Sequence, residues 1–185
     1  MDRVMKEDSK LLSYYLRHNP MEINCNIDSH GWVSVKDLCK NSKFTLSYLE
    51  AIVEEDTRYE FNSDKTYIRA MHGHSVPGVE TSVPVQLTGV LYHGTSEQGW
   101  ESIQKDKLIK PMSRNHVHMH INKDIAKAIG ARHGTPIVLV IDCDRLQLYN
   151  HVISETGDGV YLVDSIPVDC VNCIIKCNKK QTVEV

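Results

Sequence analysis

Long apolar runs are missing from this chain. No segment approaches the roughly 20 consecutive apolar residues a helix needs to cross a bilayer, so no membrane role is expected. The first residues include Asp2, Arg3, Lys6, Glu7 and Asp8 where a secretory leader needs an apolar core. Excess positive charge is also missing, the formal net charge being −3 with His neutral. That excludes a protein that coats nucleic acid through a broad basic face; an anionic polymer would have to be gripped locally, by a few arginines. No Gly-x-x-x-x-Gly-Lys-Ser/Thr loop occurs and no Gly-x-Gly-x-x-Gly follows a strand, so neither common nucleotide-holding turn is present. Gly157-Asp-Gly159 is too short to count. There are no repeats and no low-complexity segment. Of six cysteines, Cys170, Cys173 and Cys177 cluster late, but no second CxxC or paired histidine lies nearby. They are expected as buried, reduced thiols of an intracellular protein, cytoplasmic or nuclear.

What is present is an ordinary globular composition. The 185 residues are 41% hydrophobic and 24% charged, which suits one domain or two small ones with a core. Pro77, Gly78, Pro84 and Gly89 mark a linker, giving an expected division into 1–75, a linker over 76–88, and 89–185. In the first part, Asp8 or Ser9 is expected to cap a helix with Leu12, Tyr15 and Leu16 on its apolar stripe, stopped by Pro20. Gly31-Trp-Val reads as a short strand, Ser34 opens a brief helix, and Thr45 caps a longer one carrying Tyr48, Leu49, Ile52 and Val53. Arg58–Phe61 and Thr66–Ala70 flank a polar turn, as a β-hairpin would. Helices followed by a hairpin fit a small winged-helix unit. In the second part, strands are expected at Gly89–His93, Thr135–Cys143, Gly159–Val163 and Cys170–Lys176, with helices at Glu97–Gln104 and Lys123–Ile129. The fold class is therefore α+β.

The residues able to do chemistry fall in four places. The most conspicuous is Arg114-Asn-His-Val-His-Met-His120. On a strand this alternation puts Arg114, His116, His118 and His120 on one face and Val117, Met119 and Ile121 on the other. A row of one guanidinium and three imidazoles is costly to bury and calls for water or an anion. Arg17-His18 closes the first helix, where the helix dipole already favours positive charge. Arg69 leads into the Gly-centred turn Met71-His-Gly-His-Ser75, and Tyr92-His93-Gly94-Thr95 ends a strand at a glycine that permits close approach of a ligand. His-x-His on a strand can bind zinc, but Arg114 on the same face repels a dication. Phosphate recognition by bidentate guanidinium groups is the better reading, with no metal.

Taken in order, these segments resemble one family, the NAD-dependent RNA 2′-phosphotransferases. The matching pieces are Leu11-Leu-Ser-Tyr-Tyr-Leu-Arg-His18, Gly31-Trp-Val, Ile68-Arg-Ala-Met-His-Gly-His-Ser75, Leu91-Tyr-His-Gly-Thr95, Met112-Ser-Arg-Asn-His-Val-His118, Gly130-Ala-Arg-His133 and Gly159-Val-Tyr-Leu162. Single pieces are weak; the ordered set, from about residue 9 to 175, is specific. The resemblance implies an N-terminal winged-helix lobe and a C-terminal ADP-ribosyltransferase-like lobe with the active site between them. It implies action on RNA that carries a 2′-phosphate, of the kind left by tRNA splicing, with NAD consumed as co-substrate; a monomer is expected. The 2′-phosphate attacks the anomeric carbon of the nicotinamide riboside, nicotinamide leaves, and the ribose 2″-hydroxyl of the ADP-ribosylated intermediate then attacks phosphorus. The products are 2′-hydroxyl RNA and ADP-ribose 1″,2″-cyclic phosphate. Carried over residue by residue, Arg17, His18, Arg69 and Arg114 are the catalytic set. His74 and Ser75 join them around the RNA phosphate, and His93, Gly94, Thr95, His118, His120 and Arg132 face NAD.

The chain departs from the family pattern in three places, as this resemblance defines it. Met71-His72 stands where Asn-Gln is usual, Met119-His120 where Leu-Ser is usual, and Asp158 where asparagine is common. A rival reading is an ADP-ribosyltransferase that stops after the first step. A second is an RNA-binding module with a degenerate catalytic lobe. The intact arginine set weighs against the first.

Overall fold

A computed structural model describes residues 1–176 and gives an α+β chain in two compact units. One comprises Met1–Val83 with Ser113–Asn115 and Thr156–Asp158; the other comprises the remaining segments. Neither unit is a single stretch of sequence.

In the first unit, helix α1 (Arg3–Arg17) begins earlier than the periodicity suggests, because Asp2 is its cap and accepts a 2.8 Å hydrogen bond from the Met5 N–H. Asp8 and Ser9, expected as caps, lie inside the helix and are buried. Their side chains work laterally. Asp8 pairs with Lys43 and accepts from the Tyr48 hydroxyl at 2.9 Å, while the Ser9 hydroxyl donates to Asp56 at 2.6 Å. Pro20 opens a 3₁₀ turn (Pro20–Ile23) rather than extending the helix. The elements that follow are β1 (Val33–Ser34), α2 (Val35–Asn41), α3 (Leu46–Glu55), β2 (Tyr59–Phe61) and β3 (Tyr67–Ala70). Ser34 and Thr45 cap α2 and α3 as their positions in the sequence suggest. The three strands form an antiparallel sheet in the order β1-β3-β2. Leu12 and Leu16 of α1, Leu38 of α2, Leu49 and Ile52 of α3 and Ile68 of β3 meet in its core. Each such burial is worth about 1.5–3 kcal/mol.

The short strand β4 (Val83–Pro84) straddles the division between the units. The second unit then runs β5 (Val90–Ser96), α4 (Glu97–Asp106), β6 (Leu108–Ile109), β7 (Val117–His120), α5 (Lys123–Gly130), β8 (Pro136–Asp142), α6 (Cys143–Leu148), β9 (Ser154–Glu155), β10 (Val160–Val163), β11 (Ile166–Pro167) and β12 (Val171–Lys176). Its main sheet has the order β12-β8-β5-β7-β10-β9-β4, and β6 pairs with β11 apart from it. Ile137 to Ile141 of β8 are all buried, which explains why that strand reads as an unbroken apolar run. Helix α6 has six residues, too few to leave a periodic signal, and is set by Asp142, which accepts from the Arg145 N–H at 2.9 Å.

Two expectations change. The row 114–120 is not one strand face: β7 begins at Val117, and Arg114 to His116 form a bend. Arg114 belongs to the first unit, whereas His116, His118 and His120 belong to the second. The late cysteine segment is also not all strand, since Val168–Cys170 is a 3₁₀ turn before β12. Cys25, Cys143 and Cys170 are buried free thiols, and burial pushes Cys143 up to about 11. Cys173 is exposed, and Cys177 lies outside the described residues. Among the described residues no helix is long and apolar enough to cross a membrane, and no group of His, Cys, Asp and Glu is arranged to hold a metal ion.

Gly94 has a packing reason as well. A Cβ there would come within 1.8 Å of the Ala126 carbonyl oxygen, and one at Gly130 within 2.4 Å of the Thr95 carbonyl. The close approach that Gly94 permits is therefore by the backbone of α5, against which β5 is pressed. Substituting Gly130→Ala should destabilise the protein by about 3 kcal/mol, because the obstructing atoms are backbone; chemical denaturation measures this.

Candidate functional site

Arg17 is the last residue of α1, and its side chain is only 4% exposed. Its Nε and Nη2 are buried and make no hydrogen bond to any described residue. A buried guanidinium without partners is expensive. Burial lowers its pKa from the usual value to about 10, so it stays charged near neutrality.

Around it the chain gathers further groups from the same unit. The turn after β3 runs alongside Arg17: the Ser75 N–H donates to the Arg17 carbonyl at 2.9 Å. A Cβ on Gly73, where φ is +86°, would lie 3.2 Å from Arg17 Nη1. His18 Nδ1 is 2.9 Å from Ser75 Oγ. Burial, and then the charges of Arg17 and Arg114, hold the His18 pKa below its ordinary value. Arg114 is drawn in from its bend because the Asn115 N–H donates to the His74 carbonyl at 3.0 Å and the Asn115 side chain to the Val76 carbonyl at 3.2 Å. His74 is buried, its Nε2 has no partner among the described residues, and burial with the charge of Arg17 pushes its pKa down to about 3.

Arg69 is placed differently. Its Nε donates to Glu60 at 2.6 Å, its Nη1 donates to the His30 carbonyl at 3.1 Å, and the guanidinium lies 4.4 Å above the Trp32 ring. It is anchored within the sheet and contributes charge that reaches His74. Two residues that sequence reasoning noted only as departures also fall here. His72 Nε2 donates to Asp158 Oδ2 at 2.9 Å. Nothing in the sequence signals that pairing, since the two positions belong to distant segments. A cavity of about 330 Å³ is lined by His18, Pro20, Met21, Ile27, Ser75 and Val76, among others.

The candidate NAD residues lie in the second unit. His93 Nδ1 is 2.9 Å from the His118 carbonyl, so Nδ1 carries the proton. Burial keeps this ring neutral, which leaves Nε2 as an acceptor suited to a ribose hydroxyl rather than a phosphate. His118 faces Leu162 across the sheet and His120 pairs in register with Tyr92 and Val160. Arg132 is exposed in the 3₁₀ turn Ala131–His133, where it can meet an anionic group. Gly94 and Thr95 lie on β5 beside α5.

Fold and site define an α+β protein with a buried arginine whose Nε and Nη2 have no partner among the described residues. The family model described as RNA 2'-phosphotransferase, Tpt1 / KptA family, matches residues 3–165, and the chain belongs to that family. It is 43% identical over 168 residues to a probable RNA 2'-phosphotransferase of Nostoc punctiforme, covering 86% of this chain and 91% of that one. It is 38% identical over 175 residues to one of Pyrococcus horikoshii, covering 90% and 97%. A Pseudomonas fluorescens protein of the same name is 34% identical over 180 residues, covering 93% and 98%.

Two outcomes follow from the electrostatics. Arg17→Met should leave the ligand-free protein as stable or more stable, by about 1–3 kcal/mol, because an uncompensated buried charge is removed. Added phosphate should raise the melting temperature of the wild type, and the same variant should lose that rise. His74 binds a proton more readily unfolded than folded, so its contribution favours folding above the ordinary histidine range and is lost as pH falls from there toward 3. Each pH unit in that window should cost up to about 1.4 kcal/mol, and His74→Asn should flatten the slope in denaturant titrations at pH 4 to 7.

Proposed function

We propose that this protein removes an internal 2′-phosphate from RNA by transferring it to NAD. The products would be 2′-hydroxyl RNA, nicotinamide and ADP-ribose 1″,2″-cyclic phosphate. The observation that carries the reading is the buried Arg17 guanidinium, whose Nε and Nη2 donors have no partner among the described residues. It is a site waiting for a ligand with several anionic oxygens, and a phosphate dianion fits it. Spliced tRNA is the proposed natural source of that phosphate. The three helices and small sheet of the first unit support a winged-helix reading, and the large sheet of the second supports an ADP-ribosyltransferase-like one. The cavity bordered by His18 and Ser75 has room for the nucleoside that carries the phosphate.

In this reading each group has a physical task. Arg17 and Arg114 bind the 2′-phosphate and hold it for attack on the anomeric carbon of NAD, a step that depends mainly on positioning. His93, His118 and Arg132 orient the ADP-ribose portion, with Gly94, Thr95 and His120 beside them. Once nicotinamide has left, charge gathers on the non-bridging oxygens during attack by the ribose 2″-hydroxyl, and the arginines stabilise it. His18 is neutral near pH 7 and is held by Ser75, which suits it to accept or relay a proton. Arg69, anchored by Glu60 and Trp32, stiffens the strand that leads to His74 and adds positive potential.

The test is direct. The protein is mixed with a 2′-phosphorylated oligonucleotide with and without NAD. Loss of the phosphate only with NAD, together with appearance of the cyclic phosphate, is the expected result. NAD-independent dephosphorylation overturns the mechanism. Nicotinamide release without cyclic phosphate points instead to an ADP-ribosyltransferase. Arg114→Ala should stay folded, slow the second step by about 10²–10³ and let ADP-ribosylated RNA accumulate on gels. Full turnover by that variant removes Arg114 from its assigned role.

A further inference from the structure

The charge of Asp158 is felt at Arg17, yet the carboxylate does not close on its Nε or Nη2. The Asp158 side chain is 8% exposed, and both its oxygens are engaged: Oδ1 accepts from the Thr156 hydroxyl at 2.5 Å and Oδ2 from His72 Nε2 at 2.9 Å. The turn that carries it is pressed against the strand end, for a Cβ on Gly157 would come 2.5 Å from Met71 Cε. His72 in turn precedes Gly73, which abuts the Arg17 guanidinium. The carboxylate thus bonds to an imidazole, and the backbone of the next residue packs on the guanidinium. A buried guanidinium and a buried carboxylate whose charges act on one another gain from pairing directly, since a charge-assisted bond offsets the loss of water. Here neither Nε nor Nη2 of Arg17 bonds to Asp158.

We propose that His72 and Thr156 tether Asp158 as a held-back counter-charge. It is near enough to balance Arg17 before substrate arrives, yet restrained from occupying the N–H groups that the phosphate needs. The inference rests on the phosphate reading of the site. Released from its tether, the carboxylate becomes an internal competitor, an anion that reaches Arg17 without the entropy cost of binding from solution. The tether also works with a neutral donor. Burial disfavours the charged form of His72 against the pull of Asp158, so an imidazole N–H restrains the carboxylate without adding a cation. Burial alone would raise the Asp158 pKa, but the His72 and Thr156 hydrogen bonds bring it below the ordinary value, which keeps the counter-charge ionised. His72 and Asp158 are positioning residues in this scheme.

The test is calorimetric binding of a 2′-phosphorylated dinucleotide at pH 7.5 without NAD, with thermal melts to confirm folding. His72→Ala should weaken binding about tenfold, and His72→Gln, which keeps an N–H donor at the same reach, by no more than about threefold. Thr156→Val, which cuts the second tether and keeps the volume, should weaken binding in the same direction. Adding Asp158→Asn to His72→Ala or to Thr156→Val should restore affinity to the wild-type value or tighter, because the competitor is gone. Equal weakness in the single and double variants means the pair is merely structural and overturns the proposal. So does weaker binding by Asp158→Asn alone. If folded wild-type protein binds the dinucleotide no better than Arg17→Met does, the phosphate reading fails, and the tether with it.

Discussion

A guanidinium buried at the end of a helix, its Nε and Nη2 without hydrogen-bond partners among the described residues, shapes much of the first unit. Arg17 is where it is because α1 carries Leu12 and Leu16 into the core, which sets the register at which the helix ends. Apolar burial supplies the free energy, and the charge is taken out of water as a consequence. Every neighbouring feature then reads as a response to that charge. The turn after β3 passes close only because Gly73 has no side chain, and His74 and His18 stay neutral. The bend at 113–115 is fastened by hydrogen bonds from Asn115. A protein selected only for stability would put an apolar residue at position 17. Keeping an arginine there is intelligible if an anion completes the site.

Arg17 and Arg69 divide the labour. Arg69 has its donors occupied by Glu60 and the His30 carbonyl and its face covered by Trp32, so its geometry is fixed before any ligand arrives. Arg17 has the opposite condition, Nε and Nη2 donors without partners among the described residues in a buried surround. Preorganisation of this kind is what transition-state stabilisation demands, because side chains that do not move at the moment of reaction cost nothing to reorganise. Asp158 belongs to the same logic as an anion kept at a fixed remove.

Much of the fold was legible. Helices α2 and α3 begin at caps visible as Ser34 and Thr45, since a side-chain acceptor for an orphan N–H is a local device. The hairpin of β2 and β3 was marked by its polar turn. Asp8 and Ser9 misled for the opposite reason. They have the chemistry of caps, but lateral partners on α3 and the hairpin use their side chains, and such partners lie far away in sequence. The glycine of Tyr92-His-Gly-Thr was equally ambiguous, because a missing Cβ serves a ligand or a helix equally well, and at Gly94 the helix is there.

The candidate site shows the same boundary. By itself, the sequence determined which groups are available: arginines and imidazoles in an ordered set of short segments, enough to recognise the family. The row at 114–120 suggested one continuous cationic face, but a strand's alternation acts only where the ladder exists, and the ladder starts at Val117. Tertiary structure alone decided that Arg114 joins Arg17 while His118 and His120 stay with the sheet. It alone decided that His72 and Asp158, two departures that look unrelated along the chain, form one buried pair. Local chemistry is written residue by residue. Which donors meet which acceptors depends on long-range packing, where burial removes water and makes each pairing compulsory.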